Sequence, residues 1–158
     1  MGLKPTTYDD PKVGPVDGDD RIFHVPFAVS SVTDRRGGKA VDLHHRYQIG
    51  TANSSNLAGF LEVDEIGTAS GHPTSVADGD NLPVNFGLQK THAFPTSGRV
   101  ATVADVGKDF DISVDANNVM YVNLSAVTKG VLRVTKLLDA SGNWVACGIP
   151  PDLRHGNL

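Results

Sequence analysis

The chain has 158 residues, a net charge of −4, and an apolar content of 39% with few aromatics, enough for one domain with a real core. The acidic balance excludes a general nucleic-acid binder, whose phosphate contacts need a concentrated basic surface. Cys147 is the only cysteine, which excludes an internal disulfide and a thiolate metal cluster, and no apolar run reaches the roughly 18 residues of a membrane-spanning helix.

Seventeen Gly and nine Pro suit a chain with many turns. Val, Thr, Ser, Asn and Asp crowd out the good helix formers, and Glu62 and Glu65 are the only glutamates. That composition favours short strands joined by tight turns, an all-β domain.

Residues 1–20 read as an extended arm. Pro5, Pro11 and Pro15 block regular structure, and Asp9, Asp10, Asp17, Asp19 and Asp20 outweigh Lys4 and Lys12. Its apolar anchors are Leu3, Tyr8, Val13 and Val16, with no apolar core of the signal-peptide kind. From Arg21 the texture changes. "RIFHVPFAVSSV" alternates with Phe23, Val25, Phe27 and Val29 on one face, and Pro26 assigns part of it to an edge or a bulge.

After the basic turn "DRRGGK", the run "AVDLHHRYQIG" resumes alternation through Val41, Leu43, His45, Tyr47 and Ile49. "LAGFLEVDEIG" sets Leu61, Val63 and Glu65 against Phe60, Glu62 and Asp64. A long irregular stretch precedes strands in "LPVNFGLQ", "RVATVADV", "FDISVD" and "NVMYVNLS". Residues 124–139 fit either a helix, through Leu124, Val127, Val131, Val134 and Leu138, or the first half of a hairpin "VLRVTKLL"–"DASGN"–"WVACGI". Gly130 would cost the helix about 1 kcal/mol, which favours the hairpin. The total is about eight short strands in a barrel or sandwich over residues 21–150, followed by a short tail at 151–158. No repeat of 20–50 residues aligns.

Few places look chemical. "ADGDN" gathers Asp78, Asp80 and Asn81 like oxygen ligands for calcium. From Asp78, however, the later positions of a calcium loop fall on Leu82, Pro83 and Gln89, so the stretch reads as a turn. His44 and His45 would point to opposite faces of a strand, and His72 and His92 have no matched ligand spacing. Ser70 lies in "GTASGH", which is not a nucleophile elbow, and Cys147 sits in an apolar run. No catalytic constellation, metal site or cofactor site emerges. The one positive cluster is Arg35, Arg36 and Lys39, with Arg46 downstream, suited to docking on an acidic partner.

The stretch "SVADGDNLPVNFGLQKTHAFPTSGRV" resembles the small β-rich cement, or head-decoration, proteins of tailed bacteriophages, in which a Gly-Asp phrase leads into the strands of a compact barrel. The matching residues are Ala77, Gly79, Asp80, Leu82, Val84 and Gly87. "TKGVLRVTKLLDASGNWVACGI" is similar to the closing hairpin of such domains, and the acidic, Pro-rich arm fits as well. The basic turn and the paired histidines have no counterpart in that pattern.

The resemblance implies a non-enzymatic protein without cofactors that binds the outside of a viral capsid and bridges major capsid subunits. It would be made in the host cytoplasm and placed on the virion as an oligomer, a homotrimer by preference, with no contact to membrane or nucleic acid. Its candidate contacts are Lys4, Tyr8, Lys12 and Val13 on the arm and Arg35, Arg36 and Lys39 in the basic turn. The rival readings are a carbohydrate- or receptor-binding module of a fibre or adhesin, for which Trp144 and Tyr121 would be the platform, and a metal enzyme assembled from distant His and Asp.

Overall fold

The structure, a computed structural model, describes residues 14–28, 40–43, 47–62, 77–116 and 119–151. These residues are almost entirely β, in a compact barrel-like fold, as the composition predicts. They form eleven short strands rather than about eight. The first six are β1 (Gly14–Asp17), β2 (Ile22–Ala28), β3 (Ala40–Leu43), β4 (Tyr47–Ile49), β5 (Gly59–Leu61) and β6 (Asn81–Asn85). The rest are β7 (Thr91–Ser97), β8 (Asp109–Val114), β9 (Met120–Asn123), β10 (Leu132–Leu137) and β11 (Trp144–Gly148).

Several expectations resolve at the level of local chemistry. β10 and β11 pair antiparallel, so the hairpin stands. The helical alternative fails because the Asp111 carboxylate accepts from the Lys129 and Gly130 amides at 2.7 and 2.8 Å, pinning that segment in a turn with Gly130 at φ +57°. At the hairpin tip Asp139 accepts from the Asn143 and Trp144 amides. The run through Val41 and Ile49 is not one strand but two. It folds back so that Val41 pairs with Ile49 and Leu43 with Tyr47. "RVATVADV" is not a strand either: Val103–Asp105 is a single 3-10 turn, because the Asp105 carboxylate reaches back to the Thr102 amide at 2.8 Å. β7 carries no strand signal in the sequence that survives Pro95 in its middle, yet it is the longest wall of its sheet.

The strands close into two rings. The first has the order β2-β4-β3-β5-β6, and the second runs β7-β11-β10-β8-β9 and closes through β7–β9. The two rings share one topology. In each, the first strand pairs in parallel with the third and antiparallel with the fifth. The second strand pairs antiparallel with the third and fourth, and the fourth with the fifth.

The registers coincide as well. Setting Pro26 equivalent to Pro95 makes Gln48 equivalent to Asn123 through the parallel pairs, Asp42 to Asp111, Gly59 to Leu132, and Val84 to Cys147. The circuit then closes on the two prolines, opposite Asn81 and Trp144. The turns preceding those two strands, Ala77–Asp80 and 140–143, become equivalent, with Gly79 and Gly142 both at positive φ. In both rings the residue after the proline donates its amide to that turn, Phe27 to the Asp80 carbonyl and Thr96 to the Asn143 carbonyl, each at 3.0 Å. The chain is a tandem repeat of one five-stranded barrel. Differing loop lengths change the spacing between equivalent residues, which hides the repeat from a fixed-offset alignment.

The rings share a wall. Phe27, Val41, Leu61, Leu82 and Val84 fill the first core. The second is built on Phe94, Phe110, Ile112, Val122, Leu132, Val134, Val145 and Cys147, and it also takes Ala40, Leu57 and Phe60 from the first ring. Alternate residues of β3 and β5 therefore enter different cores. This is why Phe60 and Leu61 are both buried where a simple inside–outside alternation was expected. Ile49 packs against both clusters.

The end of the predicted arm is structural. β1 pairs antiparallel with β7, Gly14 opposite Ala93, Pro15 opposite His92 and Asp17 opposite Thr91.

Candidate functional site

The predicted contacts Lys4, Tyr8, Lys12, Val13, Arg35, Arg36 and Lys39 lie outside the described residues, as do His44, His45, Ser70 and His72. The "ADGDN" stretch is the turn the sequence suggests. The Ala77 amide donates to the Asp80 carboxylate at 2.8 Å, and the Asp80 amide donates to the Ala77 carbonyl. Leu82 and Val84 then face the core, whereas Leu88 is exposed in the following turn rather than continuing the strand. Among the described residues no three His, Cys, Asp or Glu side chains gather as a metal site. Cys147 is fully buried, and that burial pushes its thiol far above the ordinary range.

Polar chemistry concentrates at the seam between the rings. His92 on β7 is 1% exposed and stacks on Phe60 of β5, ring centroids 4.4 Å apart and planes 16° from parallel. Its Nε2 comes within 3.3 Å of Glu62 Oε1, without hydrogen-bond alignment. Beside it the Lys90 ammonium, itself buried, meets the Asp20 carboxylate at 2.6 Å. Asn85, fully buried, donates to the same Asp20 oxygen and accepts from the Arg21 and Gly87 amides.

Burial is the largest influence on His92 and, with the Lys90 charge, pushes its imidazole below the usual range against the pull of Glu62. Burial opposes the charge on Glu62, yet His92, Asn85 and Lys90 hold its carboxyl below the usual range. The hydrogen bond from Lys90 does the same for Asp20. The sequence reading treated His92 as an ordinary imidazole and missed Asp20, Asn85 and Lys90. No local signal marks them, because Asn85 and Lys90 meet Asp20 across 65 and 70 positions of chain.

A second feature is an exposed apolar row on a clamped loop. Val100, Val103 and Val106 are 52%, 78% and 42% exposed, the first before the 3-10 turn, the second at its start and the third at its end. Beneath them Asp105 is buried and receives both Arg99 nitrogens, at 2.7 and 2.8 Å. The Arg99 guanidinium is the main reason its carboxyl stays far below the usual range. Further backbone bonds join Ala101 to Gly142 and Gly107 to Val134. The valines are thus held out by the loop rather than left over from a core.

A third feature is a group of rings at one end of the first barrel. Phe86 lies 6.1 Å from Phe23 and 5.5 Å from Tyr47, and Phe23 is 55% exposed. Trp144, the expected platform residue, is instead buried in the second ring. Tyr121 donates its hydroxyl to Asp115.

The chain matches no family model, no curated protein and no solved structure.

Proposed function

We propose that the chain is a non-enzymatic structural protein that binds the outside of a viral capsid as an oligomer and stabilises the shell by bridging major capsid subunits. The bacteriophage cement proteins it resembles in sequence texture supply the partner. The observation that carries an adhesive role is the row Val100, Val103 and Val106, apolar side chains presented to solvent by a loop that the Arg99–Asp105 pair makes rigid. A preformed apolar contact loses little entropy on docking, which suits a protein that must hold by many modest contacts at once. On this reading the arm, through Lys4, Tyr8, Lys12 and Val13, and the basic turn at Arg35, Arg36 and Lys39 supply further contacts to the shell.

Co-sedimentation of the purified chain with capsids lacking it tests the role. Saturable pelleting at a fixed ratio to the major capsid protein is expected. Absence of pelleting by folded protein overturns the proposal. The second reading, a glycan- or receptor-binding module, draws on the exposed Phe23 ring, backed by the half-buried Phe86 and Tyr47, since an exposed aromatic ring is what sugars stack on. A glycan screen whose binding is lost in Phe23→Ala would favour it.

A further inference from the structure

The repeated topology exposes a difference between the two rings. In the second, β7 carries β11 on one side and, on the other, β1 opposite Thr91–Ala93 and then β9 opposite Thr96 and Ser97. Pro95 sits in the gap between those two neighbours, where its missing N–H leaves no donor unpaired. In the first ring β2 carries β6 on one side and β4 opposite Phe27 and Ala28 on the other, with Pro26 in the equivalent gap. Among the described residues, nothing pairs with β2 where β1 pairs with β7. The equivalents of Thr91, His92 and Ala93 are Ile22, Phe23 and His24. All three are exposed, Ile22 at 44% and Phe23 at 55%.

Backbone direction follows from alternation. Arg21 and Phe27 bond toward β6 and its preceding turn, so Ile22 and His24 aim their N–H and C=O groups at the open side. An edge of this kind, with Ile22 and Phe23 exposed and no carboxylate or lysine among its three residues, is a template for another strand.

We infer that the Ile22–His24 edge pairs antiparallel with the same edge of a second copy of this chain across a two-fold axis. The edge is self-complementary. Ile22 of one copy falls opposite His24 of the other, both with outward backbone groups, and Phe23 falls opposite Phe23. Arg21 falls opposite Val25, so no like charges meet. The contact length matches what β1 already achieves on the equivalent edge of β7. The pairing sets Phe23 beside Phe23 and Ile22 beside His24 of the partner copy, and it does not depend on the proposed capsid role.

Sedimentation velocity of the full chain over a range of concentrations tests it. A monomer–dimer equilibrium is expected, and His24→Pro abolishes the dimer. Proline is already tolerated two residues on at the same facing, so this variant should keep its bonds to β6. Should His24→Pro not fold, Ile22→Lys, at a solvent-exposed position, makes the same test. In addition, Phe23→Cys treated with oxidised glutathione, which is reduced as the two thiols join, gives a covalent dimer, because facing residues at a non-hydrogen-bonded position lie within disulfide reach. Cys147 is buried and does not compete. A monomer at every concentration, an assembly without two-fold pairing, or a dimer untouched by the folded variants overturns the inference.

Discussion

The His92 imidazole lies flat on the Phe60 ring, with the Glu62 carboxylate at its edge and almost no access to water. Phe60 belongs to the first ring and His92 to the second, so this stack is where the repeats are joined. Burial lowers the imidazole's affinity for protons in the folded state below that of the unfolded chain, about 6.5. The unfolded chain therefore takes up the proton first as pH falls. The stabilisation is fully present above about pH 6.5 and is lost progressively as pH drops below it. Thermal melting of the native chain at about pH 7.5 and about pH 5.5 should show a fall in Tm that is smaller in His92→Gln. An NMR titration should find the His92 imidazole still neutral at the pH where free histidine is half protonated. An equal Tm fall in both proteins would remove His92 as its source.

Phe60 is buried in the second core while its neighbour Leu61 is buried in the first. Phe60→Ala should cost about 3–5 kcal/mol, the usual penalty for emptying a large core site. Because the wall is common property, urea unfolding of the native chain should be a single transition by both tryptophan fluorescence and far-UV dichroism. Trp144 reports on the second ring alone, so two separated midpoints would mean that the rings unfold independently.

Two glycines separate backbone strain from crowding. Gly107 has φ +88° but nothing near the place a side chain would occupy, so Gly107→Ala should cost about 1–2 kcal/mol, the left-handed penalty by itself. Gly142 has φ +74° and sits against the Ala101 backbone, where a methyl group would collide with the carbonyl oxygen. Gly142→Ala should be clearly the more damaging of the two in chemical denaturation. Equal losses would show that the loop holding Ala101 gives way freely.

Val103 is 78% exposed, so Val103→Asp should leave stability unchanged within about 0.5 kcal/mol. If the valine row is the capsid contact, the same change should weaken capsid pelleting at least about tenfold, roughly 1.4 kcal/mol. Unchanged pelleting would move the contact away from this loop.

Much of the local architecture is legible in the sequence. The all-β character follows from composition. The turn at Ala77–Asp80, the hairpin over 132–148 and the strands at "LPVN", "FDISV" and "MYVN" follow from alternation bounded by Gly, Asn and Asp. These features depend on neighbours along the chain, whose chemistry is written in order.

Other features belong to the tertiary structure. β7 is masked by Pro95, which is acceptable only because its missing donor falls between β1 and β9. The valines of residues 100–106 read as a strand until Asp105, held by Arg99, bends the chain into a turn. The pairing of the two rings, the burial of both faces of β5 and the Asp20–Lys90–Asn85 cluster join residues far apart in sequence. Local propensity carries no information about which distant wall a residue will meet. The period of a strand fixes which face a side chain takes, but only the closed rings determine what lies on the other side of it.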